Sequence, residues 1–207
     1  MVRNGGWTQQ GDGAVFTRLL GLYAASHRAF SDEMRLTYLE QDRSKSAWLP
    51  ESEFASRFRA AVFVPDELSK YAPREYYAMG VPLFFVSQHL LVQLAVKQPF
   101  YQFDARYALG AHCGTRNASA ATPVPFGIRP GRPGEAPDLR AAFFWTSFAD
   151  LYHMPGVKTF RSFVGLLDGL VSLDADEVSG VQLAHMAEIR EEVLPAFGDL
   201  LRSLLNS

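Results

Sequence analysis

Two runs of consecutive apolar residues, AVFVP over 61–65 and VPLFFV over 81–86, set the reading of this chain. Both are short and rich in β-branched and aromatic residues, which suits strands buried on both faces of a parallel sheet. Between them, residues 66–71 are polar, Pro73 fits the first turn of a helix, and Gly80 fits a left-handed C-terminal stop. The pattern predicts strand, loop, short helix, strand: a βαβ unit.

Upstream, residues 1–13 are polar and Gly-rich and read as a disordered lead-in, followed by a helical N-terminal segment over 14–59. In that segment Phe16, Leu19, Leu20 and Tyr23 share a helical face, and Ser31 ahead of Asp32 and Glu33 reads as the start of a second helix running through Met34, Leu36 and Leu39. Downstream, QHLLVQLAVKQ reads as an amphipathic helix stopped by Pro99, and residues 99–139 as a long Pro/Gly-rich loop. VKTF then reads as a strand, Ser162 as the N-cap of FVGLLDGLVSL, and Asp174 as the start of a last helical region interrupted at Pro195. From residue 60 to 207 the alternation predicts an α/β fold: a Rossmann-like parallel sheet flanked by helices, with a long loop insertion and a helical C-terminus.

Composition narrows the function classes. With 48% apolar and 20% charged residues the 207-residue chain is an ordinary globular one, and a net charge of −2 disfavours a nucleic-acid binder. Cys113 is the single cysteine, which leaves no internal disulfide and no cysteine-cluster metal site. No apolar run reaches the roughly 20 residues of a membrane span, and the first residues carry no secretory h-region. As written, the expectation is a cytoplasmic protein with no membrane segment; a longer native product would admit a membrane-associated or secretory one, where the sequon at Asn117 would matter. The histidines show no HExxH-type spacing, and His153, beside a Pro-terminated turn, is the one retained as a ligand contact.

The chemistry lies in the opening unit. Glu67 and Glu75 form an E-x7-E segment, with Gly80 five and Pro82 seven residues after the second glutamate. This resembles the donor segment in the C-terminal, nucleotide-sugar-binding half of GT-B glycosyltransferases. The resemblance implies a metal-independent sugar transfer from a nucleotide-activated donor, with the donor as substrate and no cofactor. It also implies that Glu75 binds the ribose and that Glu67 approaches the transferred sugar. Position and charge add Ser69, Lys70 and Arg74 as contacts to the diphosphate. Only about sixty residues precede the first strand of the unit, less than a second domain needs, so the N-terminal acceptor domain and the acceptor itself are expected to lie elsewhere. The alternative is a catalytically inactive or truncated α/β module acting in protein–protein association, as a homo-oligomer or with a missing domain.

Overall fold

The computed structural model describes residues 2–3, 11–39, 56–64, 72–97, 143, 146–147 and 149–205. Its centre is three parallel strands, β3 (Ala61–Phe63), β4 (Leu83–Val86) and β5 (Lys158–Phe160), with Val62 opposite Phe84 and Phe84 opposite Lys158. Two strands of two residues each, β1 (Val2–Arg3) and β2 (Tyr38–Leu39), extend it, giving the order β2-β1-β3-β4-β5 with every pairing parallel.

Alternation along β3 and β4 sends successive side chains to opposite faces, and both faces are covered. Val62, Phe84, Val86 and Phe160 meet Phe16 and Leu20 of α1 (Gly11–Ser26), Phe30 of α2 (Arg28–Glu33) and Leu166, Leu167 and Leu170 of α5 (Phe163–Val171). On the other face Ala61, Phe63, Leu83 and Phe85 pack with Tyr76 and Tyr77 of α3 (Ala72–Ala78) and with Leu151 of a single 3-10 turn, Asp150–Tyr152. Burial on two sides is why these strands read as continuous apolar runs. Each of Leu83, Phe85 and Val62, wholly shielded, contributes on the order of 1.5–3 kcal/mol relative to an exposed side chain. The chain is thus α/β, with a small parallel sheet between helices and a helical C-terminus, α6 (Ala175–Leu205).

The turn after α3 follows its glycine. Val81 N–H donates to the Tyr76 carbonyl at 3.0 Å and Gly80 N–H to the Tyr77 carbonyl at 2.9 Å, a Schellman arrangement that requires the left-handed φ of +71° found at Gly80. Ser162 caps α5 as expected, its hydroxyl accepting from Gly165 N–H at 3.1 Å. Helix α4 (Gln88–Lys97) follows β4 directly, and the Ser87 hydroxyl accepts from Leu90 N–H in its first turn.

Three expectations are corrected. Residues 2–3 pair as a strand and α1 begins at Gly11, so part of the expected lead-in of residues 1–13, and α1 and α2 of the segment 14–59, belong to the sheet and its covering layer. The second helix starts at Arg28 rather than Ser31 and stops at Glu33; the His27 ring nitrogen accepts from Phe30 N–H, and the β-favouring Thr37 and Tyr38 lead into β2. Helix α6 passes through Pro195 unbroken. The carbonyl that Pro195 leaves without a helical donor is that of Glu191, an exposed residue, so water can satisfy it. The expected long loop at 99–139 lies outside the described residues.

Candidate functional site

In an open parallel sheet ligands gather beyond the carboxyl ends of the strands. Here that edge is formed by Val64 after β3, Ser87 after β4 and Arg161 after β5. Residues 65–71, which carry Glu67, Ser69 and Lys70, leave β3 at this edge and lie outside the described residues. Arg74 and Glu75 are described, side by side in the first turns of α3, and both are exposed. The helix is held from behind, since Pro73, Tyr76 and Tyr77 are its buried positions. Glu75 is consequently presented to solvent on a short, well-anchored helix.

Arg74 does not stand alone. Its guanidinium meets the Asp150 carboxylate on the 3-10 turn, and both side chains are more than half exposed. Such a pair contributes little to stability. It does tie the guanidinium to the 3-10 turn, one residue along the helix from Glu75. Because a guanidinium has five N–H donors, one carboxylate leaves it donors for a second anion.

The surrounding turn is tied to the end of β4 by contacts between residues far apart in sequence. The Tyr152 hydroxyl donates to the Val86 carbonyl at 3.1 Å, and burial pushes this phenol above its ordinary pKa. The Gln88 amide donates to Thr146 Oγ1 at 2.8 Å and to the Phe143 carbonyl. His153 Nε2 donates to the Ser147 carbonyl, which makes it a fastener of the turn. Asp150, Tyr152 and Gln88 were not singled out from sequence. Nothing in the local pattern marks a residue whose partner lies about sixty or more positions away.

Tyr76 and Tyr77 are core residues rather than stacking platforms. The Tyr77 hydroxyl lies 2.9 Å from the Pro155 carbonyl and 3.0 Å from His185 Nδ1. A carbonyl can only accept, so the phenol proton points at Pro155 and His185 carries a proton on Nδ1. Burial raises the Tyr77 pKa as well.

Two hollows open at the opposite, amino edge of the sheet. One of about 530 Å³ is lined by Arg59 and residues 171–176, the other of about 320 Å³ by Phe84, Lys158 and the start of α6. Arg59 donates to the Leu173 carbonyl at 2.6 Å across the first, and the Asp174 carboxylate caps α6 by accepting from Glu177 N–H. These groups serve the α5–α6 turn.

Among the described residues no three His, Cys, Asp or Glu side chains converge as metal ligands, and no helix is long and apolar enough to cross a membrane. Cys113 and the sequon at Asn117 fall outside the described residues. No family model, no curated protein and no solved structure matches the chain.

Proposed function

We propose that the chain is a nucleotide-sugar-binding domain of the GT-B type, with a Rossmann-like sheet and its donor site beyond the carboxyl end of β3. The supporting observation is the strand order. β1 has β2 on one side and β3 on the other, so the winding reverses between β1 and β3, and the segment carrying Glu67, Ser69 and Lys70 leaves β3 beside that point. Ligands of doubly wound sheets lie in the crevice at such a reversal.

In this reading the Glu75 carboxylate accepts hydrogen bonds from two neighbouring ribose hydroxyls, and Glu67 does the same for the sugar. Ser69, Lys70 and the free donors of Arg74 meet the diphosphate, whose negative charge grows as the sugar departs. Transfer itself needs an acceptor domain; the domain supplies position and charge stabilisation. Calorimetric titration with a panel of UDP-, GDP- and ADP-sugars tests this. One nucleotide class binds, and Glu75→Ala weakens it by about tenfold or more while the melting temperature stays put, because the side chain is exposed. Absence of binding to every donor, or binding indifferent to Glu75→Ala, refutes the reading.

A second reading, an α/β module for protein–protein association without chemistry, draws on α1. Val15, Leu19 and Leu22 are exposed on the flank of that helix beside the buried Phe16 and Leu20. Apolar surface of this kind favours a protein partner.

A further inference from the structure

Helix α6 is amphipathic over its whole length, yet only its first part is used by the fold. Val178 and Gln182 are buried, Met186 packs beside the core, and beyond Gln182 no described residue of the helix is buried. The apolar face nevertheless continues. Val193, Leu194, Phe197, Leu200 and Leu201 are 44% to 64% exposed. At 100° per residue these five fall within about 60° on either side of Phe197.

Between Val193 and Leu201 the apolar positions lie symmetrically about Phe197. Counting outward, Ala196 matches Gly198, Leu194 matches Leu200, and Val193 matches Leu201, while the unmatched pair, Pro195 and Asp199, falls on the opposite side of the helix. With apolar positions spaced alike on both sides of Phe197, each apolar side chain meets an apolar one at the same level of an antiparallel copy, in an isologous two-fold contact. We propose that the distal half of α6 is a self-association face, pairing antiparallel with the same segment of a second copy about a two-fold axis at Phe197.

Three further considerations select this occupant. The overlap fits: with the axis at Phe197, the helix end at Leu205 reaches the level of Ile189 on the other copy, so the contact uses only the part of α6 beyond its buried residues. Charge fits: Arg190 lies seven residues before Phe197 on the same face, and antiparallel pairing sets its guanidinium beside the negative end of the other helix dipole. Parallel pairing would set Arg190 against Arg190. The area fits a reversible contact: five half-exposed side chains from each copy bury roughly 1,000 Å² in total, the lower bound for a specific interface. Small residues at 196 and 198 leave room for the two Phe197 rings to meet at the axis. An anionic lipid surface is a poorer occupant, because the segment carries Glu191, Glu192 and Asp199 and lacks a basic cluster. The contact rests on neither reading of the previous subsection.

Sedimentation equilibrium between about 1 µM and about 1 mM reads the association, and thiol cross-linking in a Cys113→Ser background reads its geometry. A monomer–dimer equilibrium is expected, weakened at least tenfold by Phe197→Glu, with the low-concentration melting temperature unchanged because the residue is exposed. Phe197→Cys should cross-link to itself. Val193→Cys should not, since its two copies sit about 12 Å apart along the pair, whereas Val193→Cys with Leu201→Cys should. A chain that stays monomeric throughout the range, a dimer indifferent to Phe197→Glu, or self-cross-linking at Val193→Cys overturns the proposal. So does a monomer that floats with phosphatidylcholine vesicles through Phe197, which would assign the stripe to lipid.

Discussion

Gln182 offers the sharpest test of the packing between α6 and the turn before β5. Its side chain is fully buried, and neither Oε1 nor Nε2 has a hydrogen-bond partner. Toward Gly156 its surroundings are backbone and aliphatic: a side chain there would begin 3.3 Å from Gln182 Cγ, 3.4 Å from the Val178 carbonyl oxygen and 3.5 Å from Val181 Cγ1. A buried amide without partners costs about 1–3 kcal/mol relative to one that is solvated or bonded. Methionine has nearly the same length, shape and helix propensity and no such groups. Gln182→Met should therefore stabilise the fold by about 1–3 kcal/mol. For a chain of this size each kcal/mol moves the melting temperature by about 2–4 °C, so a rise of several degrees is expected by calorimetry, with an unchanged urea m-value. A loss of about 1 kcal/mol or more would refute the reasoning and show that the amide is satisfied in solution, by an enclosed water bridging it to the Val178 carbonyl or to the turn.

Two other outcomes follow from local geometry. Gly80→Ala should cost about 1–2 kcal/mol in urea denaturation, chiefly because φ is +71°; the new methyl would also stand 3.0 Å from Leu183 Cγ, but that side chain is half exposed and can yield. Tyr152 should make the fold alkali-sensitive. Its folded pKa is raised by burial, so its contribution is intact below the ordinary tyrosine pKa of about 10 and is lost above it, at about 1.4 kcal/mol per pH unit until the folded form also ionises. Melting temperatures of wild type and Tyr152→Phe across that range check this, and equal slopes would refute it.

The elements that could be read from sequence are those whose cause is local. Consecutive apolar residues announced β3 and β4, Gly80 announced the end of α3, and Ser162 announced the start of α5, because burial on two faces, a left-handed turn and an N-cap each leave a signature within a few residues. What escaped was set at a distance. β1 and β2 are two residues each, too short for any periodicity, and exist because β3 offers β1 an edge. His27 is an unusual N-cap, and its other ring nitrogen meets Asp168 on α5, 141 residues away, at 3.0 Å. Pro195 pointed to a break, yet the solvent beside Glu191 makes the lost hydrogen bond tolerable. The same division runs through the candidate site: Glu75 was visible in its motif, whereas Asp150, which engages Arg74, belongs to a turn 76 residues downstream.

The Ser179 hydroxyl donates to the Gly80 carbonyl at 2.6 Å, so α6 rests on the turn where α3 gives way to β4. Together with Gln182, His185 and Met186, which also meet the body, this contact makes the last helix a lever anchored from Ser179 to Met186. From Met186 to Leu205 it extends freely for roughly 28 Å, and a tilt of about 5° about that end carries its tip ~2 Å. Glu75, on the seven-residue helix that enters the same turn, sits close to the pivot and moves far less. Load applied to the far end of the helix is thereby taken up by the contacts from Ser179 to Met186, the Gly80 turn among them, and the carboxylate near that turn stays nearly still.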